Sequence, residues 1–307
     1  MPSSDLPYVF FNGELILYDE AKVHVTTPGF RFGLSVFEVM SAYWNEAHGQ
    51  LYVFRLHDHS RRLFNSMKIL RIHLRYTADD LSEAVLEVLR ANAFQQDVAI
   101  RPIVYIGGEG PMDAVEPVEL VILAHPPDRP YGPQPGLHLC VSSWRRIADS
   151  VMPARVKSAA NYENSRLAAL DAHAGGYDGA ILLNDRGKVS EFQTGSIFIV
   201  REGVPVTPPV TGDILESITR DTAIQLLQEE HGLETQVREV DRTELYIAEE
   251  VFVGASLSGI RPVLSVDGVE IGDGETGSIT RTLQKTYYDV HRGTVPFHGD
   301  WRVPVYV

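Results

Sequence analysis

The stretch HPPDRPYGPQPG, residues 125–136, places five prolines in twelve positions. Proline fixes φ and removes a backbone donor, so neither a regular helix nor a central strand can run through such a segment. The chain therefore reads as two folded parts, residues 1–124 and 137–307, joined by a stiff linker at 125–136. A chain of 307 residues is long enough for each part to bury its own core. A cleft between two such parts is a common seat for a small ligand.

Before the linker, YVFFNGELIL sets an Asn-Gly pair between two β-prone runs, which predicts a hairpin. GLSVFEVMSAYW and QLYVFRL read as further strands, and VAIRPIVYIGG and VELVILA as buried ones. Between these groups, Leu56, Leu63 and Met67 recur near helical spacing. Leu81, Val85, Val88 and Leu89 do the same, with Thr77 as the expected N-cap. After the linker, LHLCVSSW, GAILLND, GSIFIVREG and EEVFVGASL read as strands, and helices are expected over 164–174, 219–231 and 277–291.

Composition limits what such a chain can bind. A formal net charge of −14 argues against a nucleic-acid or anionic-membrane surface, since either needs a basic face. A single cysteine, Cys140, excludes an internal disulfide framework and fits a reducing cytoplasm. No basic N-terminal region precedes an apolar core, so no secretory signal is expected. No apolar run reaches membrane-spanning length. The expected ligands are small molecules.

Only five lysines stand against twenty-two arginines, and one, Lys157, lies in VKSAANYENSRLAAL. An arginine would meet any need for surface charge, whereas only a primary amine can lose its proton and act as a nucleophile. The small uncharged neighbours Ser158, Ala159 and Ala160 suit desolvation, although a solvated lysine before a helix is the plainer reading. Glu191 falls at the end of a strand in KVSEFQTG, as an exposed strand-end acid or as a carboxylate held under a heterocycle. LESITRD runs a polar loop into a helix near Thr219, which on its residues alone reads as a capped helix start. Arg62 lies on a predicted helix, and Arg101 interrupts a strand that otherwise reads as buried. Such a strand arginine needs an anion, either a structural carboxylate or a substrate carboxylate. His57 and His59 resemble a metal pair, but no third ligand cluster follows at a suitable spacing, so no metal is expected. GGEGPMD lacks the strand–GxGxxG–helix context of a dinucleotide site.

Taken in order, FNGELILYDEAKVHV, FGLSVFEV, FRLHDHSRRLFNSMKI, IRPIVYIG, KSAANY, GYDGAILLNDRGKVSE, VTPPVTGDILESITRD and AEEVFVGASLSGIRPVLSVDG resemble the class IV aminotransferases. These are the fold-type IV pyridoxal 5′-phosphate (PLP) enzymes, and the branched-chain members are the most similar. The resemblance implies a two-domain α/β and α+β fold, with a small α/β domain at 1–124 and a larger pseudo-barrel, cofactor-binding domain at 137–307. It implies that Lys157 carries the cofactor covalently and moves a proton, and that Glu191 pairs with the ring nitrogen. Tyr162 then meets the cofactor's phenolic oxygen, and Arg62, Ile218, Thr219 and Ser256 serve its phosphate. Phe32, Phe37, Ala99, Arg101, Tyr131 and Leu257 fall at positions that face substrate. An amino donor, a 2-oxo acid and a homodimer are implied as partners.

Departures from the family pattern also appear. Phe192 follows Glu191 where glycine is usual, Ser196 replaces an asparagine, and Ser256 replaces a threonine. LPGITR has become LESITR, and Glu216 beside a phosphate seat is expected to face solvent. Phe32 and Ala99 stand where branched-chain enzymes tend to have tyrosines. The leading reading is transfer between a hydrophobic, branched-chain-like α-amino acid and 2-oxoglutarate. An (R)-amine or D-amino-acid transaminase, or a PLP-dependent lyase, is the alternative, and a non-catalytic homologue is a third.

Overall fold

The computed structural model describes residues 8–306; residues 1–7 and 307, at the ends of the two expected domains, lie outside the described residues. The chain divides into two compact units. Residues up to 131 with 156–160 and 290–307 form the first, and residues 132–155 with 161–289 the second. The proline-rich segment is thus divided after Tyr131, and two later segments return to the first unit. Backbone pairing accounts for both returns: Ser158 bridges Val36, and the strand Arg302–Pro304 pairs with Tyr52–Phe54.

In the first unit, β1 (Tyr8–Phe11) and β2 (Glu14–Leu17) form the expected hairpin. The turn between them needs positive φ at both residues, which Asn12 (54°) and Gly13 (110°) supply. The other elements are a short helix α1 (Pro28–Phe32), β3 (Ser35–Phe37), β4 (Met40–Asn45), β5 (Gln50–Phe54), α2 (Leu56–Ile69), α3 (Ala78–Asn92), β6 (Val98–Ile106) and β7 (Val118–His125). The sheet runs Arg302–Pro304, β5, β4, β6, β7, β1, β2, with β3 also on β6. Thr77 caps α3 through a reciprocal bond with Asp80, as its sequence predicts.

Alternation decides which face does what. Val36, Met40, Ile100, Val104 and Ile122 are buried in one cluster with Leu63 and Met67 of α2 and Leu81, Val85 and Leu89 of α3. Each such side chain contributes roughly 1.5–3 kcal/mol relative to exposure. The register Phe37↔Ile103, Ser41↔Ala99 and Arg101↔Leu123 puts Phe37, Ala99 and Arg101 together on the opposite face.

The second unit is built from β8 (Leu137–Arg145), α4 (Tyr162–Ala174), β9 (Gly179–Leu183), β10 (Val189–Phe192), β11 (Ser196–Arg201) and β12 (Val204–Thr207). Then follow α5 (Ile218–His231), β13 (Gln236–Val237), α6 (Arg242–Tyr246), β14 (Glu250–Ala255), β15 (Gly259–Val266), β16 (Val269–Glu270) and α7 (Ser278–Arg292). The strand order is β10-β9-β8-β15-β14-β11-β12-β13, with β16 on β15. The β8–β9 and β8–β15 pairings are parallel, and α4 makes the crossover that β8–β9 requires. Leu139, Ile181, Ile197, Val253 and Val263 are among the buried core residues.

Candidate active site

Lys157 is fixed by its backbone. Its carbonyl accepts the Phe37 N–H at 3.0 Å, and its N–H donates to Ser66 Oγ at 3.2 Å. The residue is 8% exposed, and its amine nitrogen lies 5.0 Å from the centre of the Phe37 ring. A solvated lysine is therefore not what the fold builds. The small residues after it serve close packing: a Cβ added at Gly33 would meet Ala160 at 3.7 Å.

Arg62 faces a partner that no sequence pattern named. Its Nε and Nη2 donate to the two oxygens of Glu38 at 2.7 and 2.8 Å, and Glu38 is fully buried just beyond β3. His59, one turn before Arg62, places Nδ1 2.7 Å from the same carboxylate. Burial by itself pushes the Glu38 carboxyl up, but Arg62 and His59 outweigh it and hold the group below the usual carboxylate range. Burial pushes His59 down, against the pull of Glu38. A neutral His59 must then carry its proton on Nδ1 to donate to Glu38. Two of the five Arg62 N–H donors are thereby committed, which sets the plane of the guanidinium.

The remaining first-unit candidates are spread along the face that carries Phe37. Arg101 has a buried Nε without a hydrogen-bond partner, and it makes no ion pair among the described residues. Tyr131 is buried, donates to the Val98 carbonyl at 3.3 Å, and sets its ring 4.8 Å from that of Tyr43 at a 38° tilt. Arg292 donates to the Tyr131 carbonyl and pairs with Asp97, clamping that end of the linker. Ala99 is buried beside Val98 on β6. Phe32 ends α1 as an exposed ring under the Arg31 guanidinium, so it is not drawn in with the others.

In the second unit, Glu191 follows a register shift on β10 and is buried. Its Oε1 lies 2.7 Å from Arg146 Nε, and its Oε2 accepts the Leu215 N–H at 3.1 Å. Phe192, next along the strand, points to the other side and joins the hydrophobic core, where a Cβ on Gly179 would meet it at 2.8 Å. The departure at this position is a packing choice against a glycine on β9.

At the start of α5, LESITRD forms a capped helix start. Ser217 is the N-cap, accepting the Arg220 N–H at 3.1 Å, so Ile218 and Thr219 are the first two helical residues. Their N–H groups have no intrahelical acceptor, and the helix dipole adds positive potential there. Arg220 is buried with no carboxylate paired to it among the described residues; it donates to Thr207 Oγ1 and the Pro208 carbonyl. A Cβ at Gly254 would lie 3.0 Å from Thr219 Cγ2 and 3.4 Å from Ser196 Oγ, so the glycine permits β14 to approach the helix start. Glu216 is 53% exposed on its side chain and pairs with Arg155 at 3.0 Å. Tyr162 opens α4, and Ser256 and Leu257 lie in the turn after β14.

Each unit holds groups that fit a phosphorylated pyridine aldehyde: the first a buried primary amine, the second a buried carboxylate held by a guanidinium and a helix start with a glycine cradle beside it. Glu38, Arg146 and Arg220 were missed from sequence. The one available signal was an acid inside an apolar strand run, in VFEVM, of the kind that singled out Arg101.

The family described as amino-transferase class IV matches residues 35–266. A branched-chain-amino-acid aminotransferase from Salmonella typhimurium is 35% identical over 312 residues, covering 99% of each chain. A holo-form, PLP-form crystal structure of a branched-chain amino acid aminotransferase from Thermobaculum terrenum superposes with a TM-score of 0.94 at 40% identity, covering 99% of each chain. Another, from T.th. and complexed with N-(5′-phosphopyridoxyl)-L-glutamate, gives 0.93 at 33% identity over 98% of this chain and 99% of that one.

Proposed function

This chain belongs to the class IV aminotransferases, uses PLP and moves an amino group between an amino acid and a 2-oxo acid; from that premise we propose that its amino donors are hydrophobic, branched-chain-like L-amino acids and that 2-oxoglutarate is an acceptor. When bound, the cofactor supplies a carbonyl that takes up the amino group and a ring that draws electrons from the substrate Cα. Lys157 would hold the cofactor covalently, and its Nζ would take the substrate Cα proton and return it. Glu191 accepts the ring N–H, and Tyr162 meets the phenolic oxygen. Arg62, the N–H groups of Ile218 and Thr219, the Thr219 hydroxyl and Ser256 bind phosphate. Arg101 takes a substrate carboxylate, while Phe37, Ala99, Tyr131 and Leu257 border the substrate.

The observation that carries this reading is the buried Lys157 amine beside the Phe37 ring, with the residue's backbone held by the Phe37 N–H and by Ser66 Oγ. The buried Nε of Arg101 supports the carboxylate role. The relative complexed with a phosphopyridoxyl-glutamate adduct supports the glutamate pair. A homodimer is part of the reading, supported by the exposed apolar residues Val25 (67%) and Phe30 (72%) in the first unit. A cytoplasmic location accords with the single cysteine; no helix among the described residues is long and apolar enough to cross a membrane.

Ala99 and Phe32 put no phenol where the branched-chain pattern has one, and this favours altered specificity as a second reading. Amino transfer to 2-oxoglutarate from L-leucine, D-alanine and (R)-1-phenylethylamine separates the two. Turnover with L-leucine at least tenfold above the others is expected. Preference for D-alanine or the amine establishes the second reading, and no transfer from any of them sinks both.

A further inference from the structure

Glu191 does not stand alone in its pocket. Arg146, 6% exposed at the end of β8, places Nε 2.7 Å from Oε1, while the Leu215 N–H holds Oε2. Arg146 is itself tied down: its N–H donates to the Leu183 carbonyl at 2.8 Å, and its Nε reaches the Asp213 carbonyl at 3.3 Å. Two donors from separate segments on separate oxygens fix the carboxylate in plane and position. A carboxylate offers about four acceptor sites, so these bonds are compatible with accepting a ring N–H as well.

The charge matters as much as the geometry. A carboxyl taken out of water by itself favours its neutral form, and a buried acid facing a pyridine nitrogen can keep the proton. A guanidinium in contact reverses this, because the charged form is then the stabilised one. No other ion pair of Arg146 is seen among the described residues.

We propose that Arg146 is a positioning residue for the cofactor's ring nitrogen, keeping Glu191 ionised and oriented so that the proton resides on the nitrogen. The inference rests on the reading of Glu191 as the ring's partner and deepens it. Arg146 does not touch the reacting atoms; it acts through Glu191.

The test is ¹⁵N NMR of ring-labelled PLP bound to the wild type and to R146M, R146K and E191Q. The wild type and R146K are expected in the protonated-nitrogen range, and R146M and E191Q shifted to the unprotonated range. A protonated nitrogen in R146M overturns the role of Arg146, while a protonated nitrogen in E191Q overturns the reading of Glu191 itself. A merely structural arginine would leave the shift unmoved. On the unaltered protein, infrared difference spectra on adding PLP are expected to show no loss of a protonated-carboxyl band. Loss of such a band, absent from the E191Q difference spectrum, overturns the proposal whether or not R146M folds.

Discussion

Glu38 joins Arg62 and His59, two residues of one helix face, into a buried network in which each group depends on the others. Removing the carboxylate takes a buried anion away from the Arg62 guanidinium and from His59. E38Q is therefore expected to lower stability by about 3–5 kcal/mol, read from urea midpoints, and a loss under 1 kcal/mol contradicts the network. The network also fixes an acid limb. His59 is held below its ordinary value of 6.5 by burial, so the unfolded chain takes up the proton first. Its contribution is then complete above pH 6.5 and declines as the pH falls below it. Glu38 acts further down: its contribution is present above the ordinary value of 4.5 and is lost as the pH falls through its lower folded value. H59Q is expected to flatten the fall in stability between pH 6.5 and 4.5, and an unchanged slope counts against a buried neutral His59. Lys157, Glu191 and Arg62 could be singled out from sequence as candidates because each sits in a recognisable local motif. Glu38, Arg146 and Arg220 were not, because their partners are chosen by strand register and by segments far along the chain.

At the level of elements, most of the fold could be read from patterning. The hairpin followed from Asn12-Gly13, α2 and α3 from their apolar spacing, and α3's start from Thr77. The strand departures were harder. Phe192 departs from the family pattern directly beside Glu191, but alternation on a strand sends adjacent side chains to opposite faces. F192A is expected to cost about 3–5 kcal/mol in denaturant unfolding while leaving the ratio of activities on different amino donors within twofold. A changed donor ratio without lost stability would place Phe192 at the substrate. The change to Glu216-Ser217 also has a structural account, since Ser217 supplies the cap for α5 and Glu216 pairs with Arg155.

For the whole molecule, the proline-rich stretch led to an expectation of parts at 1–124 and 137–307, whereas the two compact units, each with its own sheet and core, divide after Tyr131. What it left hidden is that residues 156–160 and 290–307 belong with the first unit. Such returns depend on tertiary pairing and leave no local signal. The first unit also exposes apolar side chains around a cavity of about 530 Å³ lined in part by Phe11, Val23, Phe30, Ile103, Val121 and Leu123. A second copy covering this face is expected to make the 34.2 kDa chain sediment as a dimer, and F30E to shift it toward monomer. A monomeric wild type contradicts that expectation.

Lys157, proposed as the residue that carries the cofactor, is the point on which everything else turns. The direct measurement is the visible absorbance spectrum of cofactor-stripped protein titrated with PLP, for the wild type and K157A. The wild type is expected to develop a band distinct from that of PLP in solution, one that decays on adding L-leucine, with K157A developing none. An identical, leucine-responsive band in K157A, or no band in the wild type, would contradict the central claim.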